Sequence, residues 1–459
     1  MKDGEIRIAQ VGTFDLDNLG DLLFPFIFSK LLDRILGKGS YSLELFGPIG
    51  CAKGAFYSDH SLVRPISLLQ DSCIDGSLSH VFVGGGDLLR CDDWSLHSVY
   101  GQDSGAAFTR IISPLGSAKA KLHLLAVGAP FPIDSSFEVF LRNNFSRFSS
   151  LSVRDNQTRN KIESFAPSTK LVPDLVCCIS TVIPLSEYPA AETLIESRSG
   201  YFVFHGSRFV LTENDIEPFA RLLFDLEENL GLTPVFLEIG AAIGDVETGK
   251  ALVSRLEAFG SSARYVRKNS MLEMCGVLAH CQFYLGSSMH GSIVASSYGR
   301  PVVSYVGEYS TKVASFYAQL DRGLLFRTPN ELCAESKAVL SFIEGCALMQ
   351  PAPNHKAAMV ENHVRECLSS TEICGSYNSD IDLVFISQRE TLSRVIYESD
   401  ARLKAEQENA EAQISYRDKL VAELESLLEA EKRNAIEQIG YRDALILELQ
   451  SRDQSEGSV

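Results

Sequence analysis

A histidine set among small residues, in GSSMHGSIVASSYG, follows directly on the apolar run CQFYL. The spacing puts His290 at the start of a helix, just past the carboxyl end of a strand. An imidazole there can exchange a proton near neutral pH, while Ser287, Ser288 and the amides around Gly291 can hold an anion. A histidine that only packs would fit the same position. Lys312, a little further on in GEYSTKVASF, could bring positive charge to the same cleft or simply face solvent.

Three earlier stretches have similar potential. GTFDLDNLGDLLFPF carries Gly12, Asn18, Gly20 and Asp21 between a strand and a helix, where backbone can approach a ligand closely; Asp21 equally suits helix capping. VFVGGGDLLR places Gly84, Gly85 and Gly86 at the end of a buried strand, open to conformations closed to other residues, with Asp87 following as either an acting carboxylate or a cap. YFVFHGSRF ends a strand with His205 and Arg208; the arginine could clamp a carboxylate or phosphate through two parallel hydrogen bonds, or join an interdomain ion pair.

The elements that must position these residues alternate. Apolar runs IRIAQVG, LELFGP, HVFVGGG, LHLLAVGAP and SLSVRD are interleaved with helix-like segments such as LLFPFIFSKLLDRILG, the pattern of βα units on a parallel sheet covered on both faces. After the proline-spaced stretch VPDLVCCISTVIPLSEYPAAE a second series begins with YFVFHGSR, DIEPFARLLFDLEENLG, PVFLEIG, MLEMCGVLAHC, QFYLGSS and PVVSYVG. The fold class expected is α/β: a Rossmann-like domain over residues 1–185 and a second over 186–397, including a closing segment with the strand-like IDLVFIS. In open sheets of this kind ligands bind at the carboxyl ends of the strands, so two such domains make a cleft.

From about Ala401 the composition shifts to Ala, Glu, Leu, Lys, Arg and Gln without proline, and residues 398–459 read as a coiled-coil helix. Ile414, Val421, Leu424 and Leu428 follow a coiled-coil seam. QISYRDKLVAELES returns as QIGYRDALILELQS, matching Tyr416 to Tyr441 and Ile414, Val421 and Leu424 to Ile439, Ile446 and Leu449; the offset of three heptads plus four requires a stutter. The tail is expected to join copies of the chain or to dock it.

Composition narrows the partners. A chain of 459 residues that is 45% hydrophobic and 22% charged can bury real cores and is not disordered. Its formal charge of −17 argues against a general nucleic-acid binder. The eleven cysteines show no metal-ligand spacing and read as buried thiols of a cytoplasmic protein, and no metal site is expected. The start shows no signal-peptide core, and no stretch reaches the roughly 18 apolar residues of a membrane span, so membrane contact would be peripheral.

Taken in order, NLGDLL, VFVGGGDLL, LLAVGAPFP, SVRDNQT, VPDLV and LGSSMHGSIVASSYGRPVV resemble the polysaccharide pyruvyl transferase family over roughly residues 6 to 320. The resemblance implies a glycosyltransferase-B-like pair of Rossmann domains that transfers an enolpyruvyl-derived unit from phosphoenolpyruvate to a sugar, releasing phosphate and leaving a pyruvate ketal. It also implies no cofactor beyond phosphoenolpyruvate as co-substrate. By motif match, His290 corresponds to the family's histidine and Arg208 to its donor-binding arginine. Many relatives carry an arginine two residues before that histidine, whereas this chain has Ser288, which shifts the burden of donor binding to Arg208 and Lys312. On this reading His290 transfers the proton, Asp21 or Asp87 orients sugar hydroxyls, and the acceptor is a glycan or its lipid-linked precursor at the inner face of the membrane. A nucleotide-sugar glycosyltransferase of the same architecture and a non-catalytic scaffold acting through its coiled coil are the alternative readings.

Overall fold

The computed structural model describes residues 6–15, 18–50, 62–69, 77–90, 120–195, 200–208, 210–240, 245–268, 270–306, 316–317, 320, 322–347, 354–370 and parts of 395–434. Packing groups residues Met1–Ser393 into one compact unit and Arg394–Val459 into another.

In the first half of the large unit, seven strands form one parallel sheet: β1 (Ile6–Val11), β2 (Tyr41–Gly47), β3 (Val63–Pro65), β4 (His80–Gly84), β5 (Lys121–Val127), β6 (Phe148–Val153) and β7 (Lys170–Leu171). Their order across the sheet is β3-β2-β1-β4-β5-β6-β7. The second half repeats the plan with β8 (Tyr201–His205), β9 (Thr233–Leu237), β10 (Arg264–Val266), β11 (Tyr284–Gly286), β12 (Val302–Tyr305) and β13 (Gly323–Phe326), in the order β10-β9-β8-β11-β12-β13. Central strands such as β4, β8, β9 and β12 are buried along their whole length. Their apolar runs lack a polar alternation because helices cover both faces of each sheet.

Helices return the chain between strands. Helix α1 (Leu19–Leu36) starts at Asn18, whose side chain accepts from the Gly20 amide, so Asn18 rather than Asp21 is the cap. It buries Leu22, Leu23, Phe24, Ile27, Phe28, Leu31 and Leu32. Next come α2 (Ser135–Phe145) and α3 (Asn156–Ile162). In the second half, α4 (Glu213–Leu230) begins where Asp215 accepts from the Thr212 amide and ends at Gly231, whose φ of 64° is the left-handed conformation glycine tolerates. It is followed by α5 (Asp245–Ala258), α6 (Met271–His280) and α7 (Met289–Ser297).

The two halves share a core. One apolar cluster runs from α1 through Val172–Ile183 to residues of α6 and α7, and the Leu19 amide donates to the Ile239 carbonyl at 3.1 Å across the halves. Helix α8 (His355–Ser369), in a segment whose sequence pattern is not diagnostic, packs back on the first half: Val360 and Val364 enter the shared core and Asn354 donates to the Cys177 carbonyl at 2.8 Å. The strand-like IDLVFIS lies outside the described residues, as do Tyr416, Ile439, Tyr441, Ile446 and Leu449.

In the second unit, residues 417–434 are helical, and the seam residues Val421, Leu424 and Leu428 are exposed. Among the described residues no helix is long and apolar enough to cross a membrane. The described cysteines are free thiols, all buried except the half-buried Cys333.

Candidate active site

Each sheet reverses its order between its first and fourth strands. Val11 of β1 lies beside Val83 of β4, and His205 of β8 beside Gly286 of β11. The crevices beyond those strand ends are where open α/β sheets hold ligands. All four stretches singled out by their chemistry flank these crevices: Gly12 to Asp21 after β1, Gly84 to Asp87 after β4, His205 to Arg208 after β8, and Ser287 to Gly291 after β11.

Helix α7 begins at Ser288, whose hydroxyl accepts from the Gly291 amide at 3.3 Å. A serine serves that capping role and an arginine could not. One residue inside the helix, His290 reaches across to the first half. Its ring meets Phe24 edge-on, with centroids 5.4 Å apart and planes at 87°. Its Nδ1 lies over Gly20, where a Cβ would come within 2.1 Å. On its other side Nε2 is 3.8 Å from Oδ2 of Asp174. That is an ion-pair separation rather than a hydrogen bond, and Nε2 has no hydrogen-bond partner.

Asp174 anchors a buried charge network. Its Oδ1 accepts from the Val176 amide at 3.0 Å, and its Oδ2 accepts from Nη1 of Arg154 at 3.1 Å. The same guanidinium bonds Asp87 through Nη2 and lies 3.8 Å from Asp155 through Nε. Burial alone would raise the pKa of Asp174, but His290, Arg154 and the Val176 amide together hold it below the ordinary carboxylate value. Burial likewise opposes charge on Arg154, and Asp87, Asp174 and Asp155 outweigh it and raise its pKa. Gly128 makes room for the network, since a Cβ there would fall 2.4 Å from Asp87 Oδ1.

Asp21 occupies the crevice of the first sheet. It accepts from Thr13 Oγ1 at 2.9 Å and from Asn18 Nδ2 at 3.0 Å. Gly86, at φ 86°, presents its bare backbone to that carboxylate; a Cβ would stand 3.3 Å from Oδ1. Gly84 and Gly85 fit tightly for other reasons, against the Leu125 carbonyl and the Phe24 ring.

In the second sheet's crevice, buried His205 pairs through Nε2 with buried Asp245 at 2.8 Å, and the Gly240 amide donates to the same carboxylate oxygen. Ser287 is half-buried beside them, and Arg208 stands exposed in the turn beyond Ser207. Lys312 lies outside the described residues. Among the described residues no group of His, Cys, Asp or Glu side chains could hold a metal ion.

The structure thus joins His290, Gly20 and Asp87 through two residues not singled out in the sequence, Arg154 and Asp174. Their only advance signal is their position in SVRDNQT and VPDLV, which mark the family resemblance without suggesting contact with His290.

Residues 16–308 match the family model for polysaccharide pyruvyl transferase. No curated protein matches the chain in sequence. Among solved structures, UDP-GlcNAc 2-epimerase from Neisseria meningitidis bound to UDP-GlcNAc is similar with a TM-score of 0.51 and 9% identity, over 79% of this chain and 99% of that one. The heptosyltransferase WaaC of E. coli with ADP matches with a TM-score of 0.39 and 15% identity, over 74% of this chain and 100% of that one. The epimerase likeness supports the fold alone: paired Rossmann-like halves of the glycosyltransferase-B kind.

Proposed function

The chain belongs to the polysaccharide pyruvyl transferase family, and on that premise we propose that it transfers a pyruvyl group from phosphoenolpyruvate to sugar hydroxyls of a polysaccharide or its lipid-linked precursor. The observation that carries this reading is His290, which spans from α7 of the second half to Gly20 of the first with a buried carboxylate behind it. A proton-transfer group between two ligand crevices suits a reaction that joins two substrates.

The chemistry sets what the site must do. One sugar hydroxyl adds at C2 of the enol while a proton is delivered to C3, turning the methylene into a methyl group. The bond from C2 to the phosphate oxygen then breaks, phosphate leaves with the electron pair, and a second hydroxyl closes the ketal as its proton is released. His290 serves as the proton-transfer group and assists the leaving phosphate. Because Asp87 is engaged by Arg154, Asp21 is the better placed of the two carboxylates to orient hydroxyls, in company with Asn18 and the glycines around it.

Phosphoenolpyruvate is strongly anionic and the chain is acidic, so donor binding needs local positive charge. Arg208 and Lys312 supply it in this proposal, helped by the amides at the start of α7, with Ser287, Ser288 and Gly291. The donor is the only co-substrate invoked. A lipid-linked acceptor would place the enzyme in the cytoplasm at the inner membrane face, and the exposed seam of the tail would join it to further copies of itself.

Calorimetry with phosphoenolpyruvate on the wild type, Arg208→Ala and His290→Ala, alongside uridine and cytidine nucleotides, tests the assignment. Wild-type binding that Arg208→Ala abolishes, with the nucleotides inert, is expected. Tight nucleotide binding with silence toward phosphoenolpyruvate would replace it with a nucleotide-sugar glycosyltransferase.

A further inference from the structure

The buried network around Arg154 bears on which nitrogen of His290 does the work. We infer that Asp174, clamped by Arg154, orients His290 as its Nε2–H tautomer and thereby leaves Nδ1, over Gly20, as the nitrogen that exchanges protons with substrate. The assignment of Nδ1 rests on the transfer reading above; the orientation by Asp174 rests on geometry alone.

Both oxygens of Asp174 already have donors: the Val176 amide on Oδ1 and Arg154 on Oδ2. A carboxylate held in its ionised form accepts only, so the imidazole nitrogen that faces it is stabilised as N–H. That nitrogen is Nε2, at 3.8 Å from Oδ2. Catalytic hydrogen bonds are commonly long before substrate arrives and tighten in the loaded site. In the neutral ring Nδ1 then keeps its lone pair.

Exposure points the same way. Nε2 is buried, yet the side chain keeps 15% of its surface accessible, so the open part of the ring is away from Asp174. Phe24 supports one edge of the ring, and Nδ1 occupies the place that a side chain at residue 20 would fill, so the glycine is what admits the ring in this orientation. The charged groups packed around the carboxylate are Arg154, with Asp87 and Asp155 on it, and Lys356, which lines a cavity of about 20 Å³ beside Asp174 and Met289. None of these residues supplies a second acceptor to Nε2. Asp174 is accordingly a positioning residue, and Arg154 fixes it while tying it to the glycine-rich turn through Asp87.

The test is imidazole ¹⁵N NMR at alkaline pH on the wild type, Asp174→Asn and Asp174→Ala, with His290→Gln identifying one ring among the nine histidines. The wild type is expected to show a pyrrole-like Nε2 and a pyridine-like Nδ1 at His290, and both Asp174 variants to lose that preference. A wild-type Nδ1–H form, or an unchanged spectrum in a folded Asp174 variant, would overturn the inference. Should neither variant fold, the wild-type tautomer decides. No phosphoenolpyruvate enters this measurement. A fixed Nε2–H form beside a wild type that binds nucleotides tightly and is blind to phosphoenolpyruvate would therefore sink the transfer reading and leave the orientation standing.

Discussion

A Cβ on Gly20 would lie 2.1 Å from Nδ1 of His290, although one residue opens the first helix of the first half and the other the helix after β11 in the second. Contact this close is possible only because residue 20 has no side chain. The Gly20→Ala variant must turn the imidazole away from its place beside Asp174 and Phe24. A misplacement of about 1 Å in a catalytic group can cost on the order of 100-fold in rate. Gly20→Ala is therefore expected to lose about that much turnover while keeping the wild-type far-ultraviolet circular dichroism. Turnover within a few-fold of wild type would show that the ring position is not needed.

Arg154 is expected to matter most for stability. Its side chain is 4% exposed and its guanidinium faces Asp87, Asp155 and Asp174. In Arg154→Met the buried Asp174 loses its charged partner, a change that typically costs about 3–5 kcal/mol. Urea unfolding at neutral pH should show that loss. The deficit should narrow as pH falls, because an uncompensated buried carboxylate prefers to be protonated. A variant as stable as wild type would mean that the network contributes little.

Much of this fold is legible in the sequence. Strands β1, β2, β4, β5 and β6 coincide with IRIAQVG, LELFGP, HVFVGGG, LHLLAVGAP and SLSVRD, because strands buried on both faces must be continuously apolar. The short edge strands β3, β7, β10 and β13 are not, since two to four residues carry no period to read. The site divided in a similar way. His290, Gly20 and Asp87 stand out because they lie in the segments that follow strands, where open α/β sheets hold ligands. Arg154 and Asp174 do not, because their meaning comes from residues 87, 154, 174 and 290 meeting in space, and no local pattern encodes that meeting. Similarly, the pairing of Asp87 with Arg154 follows from tertiary geometry, whereas the capping of α1 by Asn18 is local, from its side chain to the amide two residues on.

Acid should destabilise the first half through its buried histidines. His80 Nδ1 and His123 Nε2 are 3.0 Å apart, and His123 stacks on Phe82. Burial, reinforced by Lys121, lowers the pKa of His80 to about 4. Burial together with His80, His363 and Lys121 lowers that of His123 to about 3. The unfolded chain takes up protons on these rings from about pH 6.5, whereas the folded one resists. Stability is therefore lost as pH falls below about 6.5, by on the order of 1–2 kcal/mol per ring at pH 5. Melting temperatures measured from pH 7.5 to 5 should decline accordingly, with both rings still neutral by NMR at pH 5. Imidazolium signals from either ring at that pH would contradict the account.

The cysteines should be inert in the native protein. Burial pushes the thiols of Cys177 and Cys281 up to about 12, and that of Cys275 higher still. An aromatic disulfide reagent at pH 8 is expected to leave these three unmodified until urea unfolds the chain. Rapid modification of Cys177 under native conditions would show that the core segment joining the halves opens readily.

Transfer of radiolabel from [¹⁴C]phosphoenolpyruvate into the glycan and glycolipid fraction of cells that carry this chain, with purified wild type and His290→Ala compared side by side, tests the central claim most directly. The account predicts acid-labile label in the glycan with wild type, phosphate released in equal amount, and a loss of both with His290→Ala. Equal incorporation by the two proteins would contradict the role given to His290, and phosphate release without label in the glycan would contradict pyruvyl transfer itself.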